Sequence, residues 1–303
     1  MLCGLVPILV LGSGCGVIAG SPVADPTPVS STVAPVPSAW PATSPQTDRS
    51  QTKPASTAPT RSPVDSPGPT RSVTPSSTPA RPPTPACSLP SSLLARDLTS
   101  IPGGARVVAL TFDAGGSDDG VLPILKTLKE RAAPATFFLT GHFTHAFPEA
   151  SRTIAKQHPV GNHTENHRDL TKLAAGNVRA EIREGESSIL KATGVNPRPY
   201  FRFPSGARNS TVIRIANAEC YVPFRWTVDS LGWQGTEGGM SADKVHQRVV
   251  EGLQPGAIIL MHVGANPDDG TTFDADALPR VIDSIRAHGY RLVTLEHALP
   301  AEP

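Results

Sequence analysis

The chain runs to 303 residues with 27 Lys and Arg against 26 Asp and Glu, and its net charge of +1 supplies no long-range field. Such a balance argues against nucleic acid or an acidic membrane surface as an electrostatically steered partner. Its 33 prolines are spread so unevenly that composition separates a leader, a linker and a folded domain.

Residues 1 to 20 carry an apolar run, Leu5 to Leu11, that passes into small residues around Gly12 to Cys15 and Ile18 to Gly20. The run is too short to span a bilayer securely and reads as a signal peptide, although no Lys or Arg precedes it and Pro7 interrupts it. Cys15 stands where a bacterial lipobox would place its acylated cysteine, with Gly12 in the position of the usual Leu. Membrane anchoring through an acylated Cys15 therefore stands beside plain secretion.

Residues 21 to 100 are read as a linker. As far as residue 86 they are almost entirely Pro, Ser, Thr, Ala and Val, hold about half of the 33 prolines, and offer Trp40 as nearly the sole large apolar side chain. Such a stretch builds no core and extends as a semi-rigid spacer. Outside the leader the cysteines are Cys87 and Cys220. In an oxidising compartment they form one disulfide, or else they remain two unrelated thiols.

From 101 to 303 short β-branched or aromatic runs alternate with helical stretches. Strands are expected at 107–112, 135–140, 160–162, 200–203, 221–228, 257–261 and 291–295, and helices at 120–132, 148–157, 178–193, 210–218, 242–253 and 278–288. Asn177 and Ser241 read as helix caps, Gly194 and Gly289 as stops. Strand followed by helix, repeated, gives an α/β fold with a parallel sheet. About seven such units point to a distorted (β/α) barrel, with an open doubly wound sheet as the alternative.

A barrel of this kind keeps its chemistry at the C-terminal ends of its strands. Asp113 closes the first expected strand, His163 and His167 follow the third, Arg202 lies in the fourth, and Asp229 and His262 close the fifth and sixth. His163 and His167 are four residues apart, which in a helical turn puts two imidazoles on one face, a spacing suited to a metal.

With those residues in view, residues 105 to 298 resemble the NodB-homology polysaccharide deacetylases, carbohydrate esterase family 4. TFDAG at 111–115 is similar to the family's TFDDG, HTENH at 163–167 to H[ST]xxH, RFPSG at 202–206 to RxPYG, VDSLGW at 228–233 to DxxDW, and IILMH at 258–262 to the motif ending LxH. The resemblance implies Asp113 as general base, His163 and His167 as ligands of a divalent metal (zinc first, cobalt or another transition metal next), and Arg202 as the group orienting Asp113. It also implies an oxyanion contact from the backbone N–H of Ser205, His262 as general acid, Leu260 lining the pocket for the acetyl methyl, and Trp233 as its wall.

Two departures qualify this. Ala114 stands where the family's second Asp ligates the metal. Asp118 is the expected substitute ligand, with Asp119 next to it; the alternative is that these carboxylates cap the following helix. Gly232 stands where the family's Asp pairs with the catalytic histidine, and Asp229 is the carboxylate expected to support His262 instead. Glu165 reads as a solvated residue, and Asp268, Asp269, Asp274 and Asp276 as a surface cluster.

The expectation is an exported, metal-dependent deacetylase, extracellular or wall-associated and monomeric, acting on N-acetylated sugars of peptidoglycan first and chitin-like oligosaccharides second. A non-catalytic wall-binding module on the same fold and a metal-independent amide hydrolase are the alternatives.

Overall fold

Strand β1 (Val107–Ala114) is buried along its whole length, as a parallel strand covered on both faces has to be. The computed structural model describes residues 89 to 300. The expectations for the leader, for Cys15, for most of the linker and for Cys87 lie outside those residues.

Around β1 are arranged β2 (Thr136–Leu139), β3 (Val160–Asn162), β4 (Tyr200–Phe201), β5 (Val222–Pro223), β6 (Val228–Asp229), β7 (Ala257–His262) and β8 (Arg291–Val293). Every pairing is parallel. The main path runs β5-β4-β3-β2-β1-β7-β6, and β8 pairs with β1 off that path. The result is the curled, distorted barrel expected from the alternation of strand and helix.

The chain that enters the domain runs from β5, at one end of the path, to the start of β7. Leu98 N donates to Pro223 O at 2.9 Å, Arg225 N donates to Leu98 O at 2.8 Å, and Ile101 N donates to Gly256 O at 2.7 Å. Leu93 and Leu98 are buried in the inner core. Residues 89 to 100, grouped with the linker by composition, thus belong to the folded body.

Alternation along β1 creates two cores. Val108, Leu110, Phe112 and Ala114 point outward into a cluster that includes Val121, Ile124 and Leu128 of α1 (Val121–Glu130), Val245 and Val249 of α6 (Ala242–Glu251), and Leu278, Val281, Ile282 and Ile285 of α7 (Phe273–Ala287). Val107 and Ala109 point inward to Phe138, Phe224 and Ile258. Burial of each large side chain of α7 contributes about 1.5–3 kcal/mol, and truncating one, as in Ile282→Ala, costs about 2–5 kcal/mol.

The remaining helices are α2 (Gly141–Ala146), α3 (Pro148–Ala155), α4 (Ala175–Thr193) and α5 (Ser210–Ala218). Ser241 caps α6 by accepting from Lys244 N, and Gly194, at φ 76°, closes α4 in the left-handed conformation that glycine favours. Four details differ from expectation. Asn177 lies inside α4, whose cap position is Ala174. The single strand expected over 221–228 is two short ones, β5 ending at Pro223, which has no N–H for a continuing ladder. Helix α2 arises from Thr140, whose hydroxyl accepts from Phe143 N. Helix α7 starts at Phe273 rather than Leu278.

Candidate active site

Register brings the first two groups together. Across β1 and β7, Asp113 is the partner of His262, and Thr111 is the partner of Leu260. With a side-chain period of two, Asp113 and Thr111 share a face with His262 and Leu260. Leu260 is 3 % exposed, and Trp233, in a short 3-10 turn (Gly232–Gln234), sets its ring 6.3 Å from the His262 ring.

Arg202 reaches this face from beyond β4. It is fully buried, and its guanidinium donates from Nη1 to Asp113 Oδ1 (2.7 Å), from Nη2 to Thr111 Oγ1 (2.9 Å) and Arg225 O (3.0 Å), and from Nε to Phe224 O (3.2 Å). The ring of Phe138 lies 4.2 Å beneath it. A buried cation is tolerated where its hydrogens are spoken for and an anion faces it. Burial alone would push the Asp113 carboxyl up, but the Arg202 charge, followed by His163 and His262, outweighs it and holds the group below the usual carboxylate range.

The HTENH segment is not a helical turn. It is irregular chain leaving β3, with Thr164 at φ 70° and His167 at φ 54°. The two rings still meet edge to face, centroids 4.8 Å apart, because α4 holds the loop. Asn162 Nδ2 donates to Ile182 O and its Oδ1 accepts from Thr164 N, both at 2.8 Å, while Asn166 N donates to Glu181 Oε2 at 2.9 Å. Gly185 permits this approach, since a Cβ there would stand 2.7 Å from the Thr164 carbonyl carbon. Glu165 is another anchor rather than a solvated residue: it accepts from Ser188 Oγ at 2.9 Å and lies 3.3 Å from His145 Nε2.

His163 Nδ1 lies 2.9 Å from Arg202 O. A carbonyl can only accept, so the proton sits on Nδ1 and the Nε2 lone pair faces Asp113 Oδ2 at 3.3 Å. Burial lowers the His163 pKa, and burial with the neighbouring His163 lowers that of His167 to about 3, so both imidazoles are neutral. Neutral imidazoles are what a metal would require. The donor set ends there. Ala114 points into the outer apolar cluster. Among the described residues no group of three His, Cys, Asp or Glu side chains is arranged to hold a metal ion.

Asp118 does not fill the gap. The loop before α1 is tied to the far side of β1, with Gly120 N donating to Val263 O and Ala265 N donating to Ser117 Oγ, both at 2.9 Å, whereas β3 lies beyond β2 on the opposite side. Nor does a side chain cap α1. The residues present therefore do not fit the three-ligand metal site that the sequence resemblance implies.

Ser205 is exposed and left-handed, at φ 52° between Pro204 and Gly206. Of the seven described non-glycine residues with positive φ, four (Thr164, His167, Ser205 and Leu231) lie in the loops that carry these motifs. Each costs about 1–3 kcal/mol, and such strain collects at functional sites. Asp229, half-buried at the end of β6, accepts from Leu231 N at 3.0 Å, and burial first of all raises its pKa.

The carboxylate in contact with His262 is Asp274, which sequence reasoning placed on the surface. It is 3 % exposed at the start of α7. A signal was available: Asp274 is four residues before Leu278 and shares its helix face, together with Val281, Ile282 and Ile285. His262, 23 % exposed, has its pKa raised: burial acts to lower it, but Asp274 first, then Asp113 and Asp229, prevail. Cys220 is disulfide-bonded.

Comparison with known proteins places these features among relatives. The polysaccharide deacetylase family model matches residues 100–222. A peptidoglycan-N-acetylglucosamine deacetylase of Bacillus cereus is 33% identical over 195 residues, covering 64% of this chain and 68% of that protein. The crystal structure of the Bc1960 peptidoglycan N-acetylglucosamine deacetylase superposes with a TM-score of 0.62 at 31% identity, covering 69% of this chain and 94% of that one. A CE4 family pseudoenzyme from Bacillus anthracis superposes with a TM-score of 0.59 at 28% identity, covering 65% of this chain and 66% of that one.

Proposed function

The chain belongs to the NodB-homology polysaccharide deacetylases, carbohydrate esterase family 4, hydrolases of carbon–nitrogen bonds other than peptide bonds, and from that premise we propose that it removes acetyl groups from N-acetylated sugars, those of peptidoglycan first and of chitin-like oligosaccharides second. One observation carries the reading. Asp113 and His262 are register partners on one face of neighbouring strands, the first held ionised by Arg202 and the second kept protonated to a higher pH than an ordinary histidine. That is a base and an acid set apart by their surroundings.

The chemistry follows from those states. The Asp113 carboxylate takes a proton from water, the water oxygen bonds to the acetamide carbon, and the oxyanion meets the Ser205 backbone N–H. Collapse breaks the carbon–nitrogen bond as His262 passes its proton to the departing amine, giving acetate and a free amino sugar. Positioned acid and base groups of this kind contribute about a hundred- to ten-thousand-fold. Leu260 and Trp233 line the acetyl pocket. The family's usual divalent metal, zinc in the sequence expectation, would supply a more acidic water, but with Ala114 in the core no step here is routed through it.

Export, with the chain acting extracellularly or at the cell wall as a monomer, belongs to the same proposal and rests on the leader and linker composition; anchoring through Cys15 is its membrane-bound form. A second reading, a non-catalytic wall-binding module, is favoured by Ala114 and by the likeness to a pseudoenzyme. Incubating the protein with N-acetylated peptidoglycan and chitooligosaccharides, followed by mass spectrometry of the digests, separates the two. Loss of acetyl groups supports the enzyme; polymer binding with every acetyl retained supports the module.

A further inference from the structure

Position 232 is glycine where the sequence resemblance puts an aspartate beside the catalytic histidine, and the space is occupied. A Cβ built on Gly232 would stand 2.5 Å from Asp274 Oδ1, 2.7 Å from its Cγ and 3.0 Å from its Oδ2. The carboxylate filling that room comes from a different element, the first turn of α7.

Asp274 is joined to His262 at two points. Its Oδ2 accepts from the His262 backbone N–H at 2.8 Å and lies 3.5 Å from the ring nitrogen Nδ1, an ion-pair contact just beyond hydrogen-bond geometry. His262 Nδ1 and Asp274 Oδ1 are both buried without a hydrogen-bond partner. Two buried polar atoms left without partners in one contacting pair of side chains are costly.

We infer that Asp274 is the positioning residue for His262, a carboxylate delivered from α7 in place of the one missing at 232, with Gly232 present because that carboxylate needs its volume. Held from Nδ1, the imidazole turns Nε2 toward the substrate face and its imidazolium form is stabilised. The charged and titratable groups facing His262 are Asp274 from α7, Asp113 from β1, Asp229 from β6, and His163 and His167 from the loop after β3. Asp274 alone among them touches Nδ1.

The catalytic half of this inference rests on the deacetylase reading; the placement of Asp274 does not. The test therefore has two readouts on the full chain: NMR titration of the His262 ring, and the pH dependence of acetate release. Asp274→Asn keeps the acceptor for His262 N–H but removes the charge. It should move the ring titration and the alkaline limb to lower pH and reduce kcat about tenfold or more with little change in KM. Gly232→Asp alone should be destabilised by the clash, while Gly232→Asp with Asp274→Ala should return both titration and rate toward the parent. A His262 titration unmoved by Asp274→Asn, or a double variant no better than Asp274→Ala alone, would overturn the inference. Absence of acetate release from the parent would sink the deacetylase reading and leave the titration to decide the placement.

Discussion

Arg202 Nη1 donates to Asp113 Oδ1 at 2.7 Å, and neither side chain is more than 8 % exposed. The pair joins β1 to the chain after β4 across two intervening strands, so one contact both closes the inner face and fixes the base. Removing one member of a buried ion pair leaves the other uncompensated, at about 3–5 kcal/mol. Asp113→Asn should lose that much stability in urea titration as well as nearly all activity. Asp113→Asn that abolishes turnover with unchanged stability would mean the pair is not structural.

The pH profile should be broad on both sides. The folded Asp113 pKa is depressed by Arg202 against the effect of burial, so the base works to below the ordinary carboxylate value of about 3.9. The folded His262 pKa is raised, chiefly by Asp274, so the acid form persists above about 6.5. Acetate release measured against pH should show its alkaline limb above that value; a limb below it would contradict the assignment of His262.

Stability should follow the same linkage. A depressed folded pKa means that the contribution of Asp113 is fully present above its unfolded value and is lost as pH falls through the folded one. The raised His262 pKa works in the other direction: its contribution is present below the unfolded value and disappears as pH rises through the folded one. Urea midpoints should fall at both ends, and the acid-side loss should be smaller in Asp113→Asn, with Glu149, Asp169 and Asp269, also held below the usual carboxylate range, supplying the remainder.

Gly185→Ala tests how the histidine loop is held. The added methyl would stand 2.7 Å from the Thr164 carbonyl carbon and 2.8 Å from Asn162 Oδ1, both of which belong to a tightly bonded loop. Overpacking of this sort costs about 1–3 kcal/mol. Thermal unfolding should register it, together with altered NMR shifts for His163 and His167.

Two imidazoles with no third donor among the described residues should hold zinc weakly. After dialysis against chelator, elemental analysis should find well under one zinc per chain. A stoichiometric zinc retained through dialysis would mean that a side chain moves in to complete the set.

Much of this was legible in the sequence, for reasons that also explain what was not. VVALTFDA and AIILMH are runs whose length and β-branching suit only buried strands, and Asp113 and His262 at their ends were visible as chemistry. The register that makes them partners was not, since it depends on strand order. HTENH gave two histidines that do meet, but through another geometry: helical spacing suggested a turn, while Asn162 and Glu181 hold an irregular loop. Helix α2 escaped because six residues carry little periodicity. Asp274 escaped because acidic residues after a strand read as surface, although its place four residues before Leu278 put it on the buried face.

The most direct test of the account is acetate release from N-acetylated peptidoglycan near neutral pH by the parent chain and by Asp113→Asn. The parent should release acetate steadily, and the variant at a rate lower by about a hundredfold or more. Equal release by the two, or none by the parent while it still binds the polymer, would contradict it.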